Sequence, residues 1–297
     1  MTTEPLKKPP IPLAARIFLI ILSYLFIVGV FQYVGMLVAN VPNLSALKSM
    51  TIQQQLIIML FSFAAMILLV FFFRKYVDNR SVVSLGFSFK NRFEDVIWGF
   101  VVAVAVIGTG SLILYLGGYI HFEAVHLNGS TLFLSFILFI LIAFNEEILV
   151  RGYILNNLMD SMNKYLALVI SSVIFAAFHL LNFHLSLLGI LNIFLAGMLL
   201  GSSYLFTRNL WFPVSLHLFW NFFQGPVLGY SVSGRNETSL LTLKTNGAQT
   251  ISGGAFGFEG SLVCSVLLIL SVALLLLYMN RKFRPSELNY GGENLSS

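Results

Sequence analysis

Long apolar stretches dominate the chain, broken at intervals by short polar segments. A helix needs about 20 consecutive apolar residues to cross a bilayer. About eight stretches meet or approach that length: roughly 14–39, 52–73, 95–117, 131–155, 164–181, 185–206, 211–230 and 260–279. Polar residues interrupt the fifth and the seventh. The first is too long, and too poorly supplied with a cleavage site, for a removed signal peptide. The pattern predicts an all-α polytopic membrane protein with a single membrane domain over 14–280 and tails at 1–13 and 281–297. No internal repeat breaks that domain in two.

Composition agrees with this. Of 297 residues, 58% are hydrophobic and 10% charged, against about 25% charged in soluble domains. A net charge of +5 in a soluble chain would suggest nucleic acid. Here loop topology accounts for it, and no nucleic-acid partner is expected. Cys264 is the one cysteine, which excludes an internal disulfide and a cysteine-based metal site.

Basic residues in short loops set orientation. Lys7, Lys8, Arg16, Arg74, Lys75, Arg80, Lys90, Arg92, Lys164, Arg208, Arg281, Lys282 and Arg284 fall on one side, and Lys48, Arg235 and Lys244 on the other. Both termini are therefore expected in the cytoplasm, as an even number of spans requires. The basic loop 75–93 reads equally as a segment lying on anionic lipid or as an ordinary cytoplasmic loop. On the outer side, 231–258 is rich in Gly, Ser, Thr and Asn and predicts a flexible loop carrying an Asn236-Glu237-Thr238 sequon. His121, His126 and His184 sit near outer span ends. Gly189, Gly197 and Gly201 form a small-residue stripe suited to close helix packing, and Asn192 is a candidate cavity residue.

The chemistry concentrates where hydrocarbon would be cheaper. Glu146 and Glu147 stand side by side in an apolar span, and buried acids there are costly. Glu147 and Arg151, four apart in acid-first order, share a helical face. That pairing leaves Glu146 free to act as a base. The turn to the next span falls near Ser161–Asn163. Glu146 lies about 16 residues before it and His179 about 17 after, so an antiparallel hairpin sets both at similar depth. His217 and Asn221, four apart on a later span, supply a ring N–H and an amide donor for a developing oxyanion. Their shallower depth, counted from the cytoplasmic side, predicts a cavity opening inward. Together these groups suit attack of water on an amide carbonyl. No Ser or Cys sits beside a base at comparable spacing, and His-Glu-x-x-His is absent. A zinc site from Glu146, His179 and His217 remains open, because two His and one Glu leave a fourth position for water.

Glu146-Glu147-x-x-x-Arg151, Phe175-x-x-x-His179 and His217-x-x-x-Asn221, in that order, resemble the CPBP family, which comprises CAAX proteases and bacteriocin-processing (Abi) proteins. The resemblance covers 131–230. It implies an intramembrane glutamate-type endopeptidase of the bacterial plasma membrane, with a core of about eight helices and no required cofactor, Zn2+ being the alternative. It further implies that Glu146 and His179 activate water, that His217 and Asn221 stabilise the oxyanion, and that Glu147 and Arg151 support them. The expected partner is a membrane-associated protein or peptide substrate, prenylated or not, in the lipid bilayer. A non-catalytic scaffold or immunity protein and an ion-coupled transporter are the rival readings. A transporter of that kind would show paired discontinuous helices and repeat symmetry, and the sequence has neither.

Overall fold

The structure is a computed structural model and describes residues 11–284. Residues 1–10 and 285–297, which hold most of both predicted tails together with Lys7 and Lys8, lie outside the described residues.

The helices are α1 (Leu13–Val38), α2 (Ile52–Phe72), α3 (Phe93–Leu116), α4 (Gly129–Glu147), α5 (Asn156–Met159), α6 (Lys164–Phe178), α7 (Leu187–Thr207), α8 (Trp211–Phe222), α9 (Gln249–Ser252) and α10 (Leu262–Lys282). Polar residues just outside the apolar runs start them. Asn128, Asn163, Ser186 and Ser261 each accept a backbone N–H of the first turn. Thr51 and Gln54 cap each other's backbone at α2. Each such cap satisfies a donor that would otherwise be orphaned at the helix start.

The expectation of eight spans is corrected. Six helical segments among the described residues are long and apolar enough to cross a membrane: Leu13–Val38, Ile52–Val77, Phe93–Leu116, Gly129–Met159, Leu187–Thr207 and Leu262–Lys282. The fifth stretch forms a helix of 15 residues, and the seventh one of 12 that runs on through a five-residue π-helical segment, Phe223–Val227. At about 1.5 Å per residue these reach about 22 and 25 Å, short of a core about 30 Å thick. Non-helical backbone at that depth is tolerated only inside protein or beside a water-filled cavity. The two short helices carry His179 and His217.

Close approaches assemble the bundle. A Cβ on Gly99 of α3 would lie 2.7 Å from Phe212 O and Ser215 Cβ of α8, and Ser215 Oγ donates to Val96 O at 2.6 Å. A Cβ on Gly197 of α7 would lie 3.1 Å from Ser172 Cβ of α6. Small residues at such crossings let backbones meet where lipid gives no hydrophobic drive for association.

A buried polar network closes the end of the bundle that bears the basic loops. Asp78 accepts from Arg16 Nη1 at 2.6 Å, Arg74 Nη1 at 3.2 Å, Tyr153 OH at 3.2 Å and Asn157 Nδ2 at 3.2 Å. Arg74 also donates to Ser84 Oγ, and Asn156 Nδ2 to Tyr204 OH at 2.7 Å. Beside it, Asp160 pairs with Arg80 and with Arg208 at 2.7 Å. Burial alone would raise the Asp160 carboxyl, but the two arginines outweigh it and hold it below the usual range. Arg16 and Arg74, counted for orientation, are thus internal ties, and Arg80 and Arg208 are paired at the surface.

At the other end, the segment expected to be a flexible loop is folded. A short strand β2 (Leu241–Thr245) pairs antiparallel with β1 (Ile120–Val125), with Ile120 opposite Thr245 and Val125 opposite Leu241. Gly257 takes φ +95°, and a Cβ there would collide with Ser231 O. Asn192 is likewise corrected. Its amide donates to Glu259 O at 2.7 Å and Ser261 O at 2.9 Å, tying α7 to this segment rather than lining a cavity.

Candidate active site

Glu146 and Glu147 end the regular part of α4. The chain continues through a π-helical segment, Ile148–Leu155, into α5. That widened turn, buried throughout, is a common device at functional positions in helices. Glu147 and Arg151 pair across it, Nη1 to Oε1 2.9 Å. Arg151 also donates to Gly197 O at 3.0 Å and lies over the Phe175 ring, 4.4 Å from its centroid. The same Glu147 Oε1 accepts from His217 Nδ1 at 2.8 Å. Glu147 and Arg151 are fully buried, so α4, α6, α7 and α8 are joined through one ion pair.

Glu146 faces the other way. Its Oε2 lies 3.8 Å from His179 Nε2 and 3.9 Å from His217 Nε2. It has no direct hydrogen-bond partner among the described residues. His179 sits at the C-cap of α6, with Nδ1 2.8 Å from Phe175 O. A carbonyl only accepts, so Nδ1 bears the proton and the neutral ring turns the Nε2 lone pair toward Glu146. His217 is held in the same sense by Glu147. Its Nε2 therefore donates only when the ring is an imidazolium. The sequence had offered His217 as a plain N–H donor, and its bond to Glu147 was not legible there. Asn221 is buried and has no side-chain hydrogen bond among the described residues. It borders the same cavity.

That cavity measures about 390 Å³ and lies at the seam between two apolar clusters. Phe139 and Leu149 border it from one, and Phe175, Leu216 and Trp220 from the other. Its polar lining includes Gln32, Gln55, Ser62, Asn145, Glu146, His179, His217 and Asn221, with Arg235, Glu237 and Glu259 from the folded segment before α10. No residue of the 74–93, 160–164 or 208–211 turns lines it. The cavity thus occupies the half of the bundle away from the basic loops, where the depth count along the seventh stretch had set it nearer to them. Arg235, Glu237 and Glu259 were missed because a Gly- and Ser-rich stretch gives no sign of folding back over a site.

No group of three or more His, Cys, Asp or Glu among the described residues is arranged to hold a metal ion. Ligand atoms sharing one tetrahedral zinc at about 2.0–2.2 Å lie about 3.3–3.6 Å apart, and the Glu146–imidazole gaps of 3.8 and 3.9 Å are wider. No step below is routed through zinc.

Fold and site define a polytopic helical membrane protein with a carboxylate flanked by two imidazoles inside the bundle. Residues 128–223 match the family model described as type II CAAX prenyl endopeptidase Rce1-like. That stretch, about a third of the chain, contains Glu146, Glu147, Arg151, His179, His217 and Asn221. Over that stretch the chain is similar to the CAAX protease (CPBP) family, and the match supports membership of it. No curated protein and no solved structure matches it.

Proposed function

We propose that the chain is an intramembrane endopeptidase that hydrolyses a peptide bond of a membrane-associated protein or peptide. The observation that carries this reading is Glu146 Oε2, 3.8 and 3.9 Å from two imidazole Nε2 atoms at a cavity wall. Those gaps are too long for direct hydrogen bonds, and one water can bridge them. Glu146 takes the proton of that water as its oxygen attacks the carbonyl carbon, while the His179 Nε2 lone pair accepts the second hydrogen and orients it. The oxyanion then needs donors. Asn221 offers its amide in every protonation state, and His217 joins only as the imidazolium. The proton on Glu146 passes to the leaving amine, and the C–N bond breaks.

The test uses purified protein in liposomes with internally quenched peptides bearing an apolar centre. Wild type is expected to cleave, and His179→Ala to be slower by about 10²–10⁴-fold, the usual weight of a proton-transfer partner. An unchanged rate in His179→Ala rules the reading out. Strong chelators are expected to leave the wild-type rate alone. Loss restored by added zinc would instead support the metal version.

The cavity's place in the bundle bears on substrate. With the basic loops in the cytoplasm, the site faces the extracytoplasmic half of the membrane, which disfavours a prenylated cytoplasmic tail. Cys264 is fully buried, so introduced cysteines report without background. In intact cells a membrane-impermeant maleimide is expected to label Arg235→Cys and spare Ser161→Cys. The reverse pattern would invert the orientation.

A further inference from the structure

Of the carboxylates that line the cavity, two are accounted for. Glu146 faces the histidines, and Glu259 Oε2 accepts Ser233 N and Oγ, both at 2.8 Å. Glu237 is not. It makes no ion pair among the described residues, although Arg235 stands two positions away at the surface. Its one hydrogen bond is a long one, from Gln55 Nε2 at 3.5 Å. Burial raises its pKa to about 7, against the opposing pull of Arg235 and Gln55. A half-buried carboxylate with no ion-pair partner among the described residues is costly to keep, and a perturbed group at a cavity wall is a functional-site candidate.

A polar wall leads inward from it. Gln55, Met59 and Ser62 follow one another at helical spacing on α2 and all border the cavity. Gln32 Nε2 donates to Ser62 Oγ at 3.2 Å. Gln55 and Ser62 are about 10 Å apart along the helix axis, the reach of about three residues of extended peptide. Amides and a hydroxyl there can satisfy the backbone of a chain lying between Glu237 and Glu146.

We propose that Glu237 is a specificity-determining residue that pairs with a Lys or Arg side chain of the substrate on one flank of the bond cut. The word "cut" rests on the endopeptidase reading, whereas the pairing does not. The arrangement selects a basic residue at the edge of an apolar segment on the cavity side of the membrane.

Binding tests this apart from cleavage. Full-length Glu146→Gln protein in liposomes is titrated with fluorescent apolar peptides that differ at one flanking position, Lys, Gln or Glu. The Lys peptide is expected to bind about tenfold tighter than the Gln peptide. Adding Glu237→Gln should erase the preference, and Glu237→Lys should turn it toward the Glu peptide, a reversal that misfolding cannot produce. Equal affinities for Lys and Gln peptides with Glu237 intact, or binding of neither, overturn the proposal. Cleavage by wild type without Lys preference would sink the selection alone, and Lys-selective binding without cleavage would sink the endopeptidase alone.

Discussion

Replacing Glu146 with Gln is expected to lower peptide cleavage by about 10²–10⁴-fold or more, with the fold intact. The substitution is nearly isosteric, so the cavity keeps its shape, but the amide oxygen cannot take a proton from water. Stability should not suffer, because Glu146 Oε2 has no direct hydrogen bond among the described residues to lose. Removing a charge from the bundle interior also removes a desolvation cost. The check is turnover in liposomes beside a thermal unfolding curve in detergent. Activity within a few-fold of wild type would place the base elsewhere. A lowered unfolding midpoint would show that the carboxylate serves the fold. Glu146→Asp sharpens the comparison, since it keeps the chemistry and withdraws the oxygen from both imidazoles by one methylene. It should fall between wild type and Glu146→Gln.

How far the site could be read beforehand follows from what helical spacing encodes. Pairing of Glu147 with Arg151 is a neighbour relation on one helix, and it survives the π segment at 2.9 Å. The nearness of Glu146 and His179 follows from equal residue counts on either side of a tight turn, and they lie 3.8 Å apart. Relations between distant helices have no such local signature. The His217–Glu147 bond spans 70 positions and the Arg16–Asp78 pair 62, and in the sequence Arg16 looked like an ordinary loop cation. Hydropathy also misjudged length. It scores whether a stretch dissolves in lipid, not whether its backbone stays helical, so α6 and α8 read as full spans. The cavity's place relative to the basic loops was inferred from the same depth counts, and it lies in the far half of the bundle.

Arg151→Met is expected to destabilise the protein by about 3–5 kcal/mol, the usual loss when one member of a buried ion pair is removed. Three interactions go at once: the 2.9 Å pair with Glu147, the 3.0 Å bond to Gly197 O and the stacking on Phe175. The larger part is what remains behind, a fully buried Glu147 carboxylate whose one remaining side-chain partner among the described residues is His217. The double variant Glu147→Gln, Arg151→Met leaves no such charge and should recover part of the loss, so that the two substitutions are non-additive by about 0.5–3 kcal/mol. Thermal unfolding of the four proteins closes the cycle, and additive effects would show that the pair is not coupled. Cleavage by the double variant separates brace from site. If Glu147 serves only to hold α4 against α7, the recovered protein should recover activity in proportion. If it fixes the proton on His217 Nδ1, activity should stay low even where stability returns, because the ring is then no longer held in one tautomer and orientation at the cavity wall.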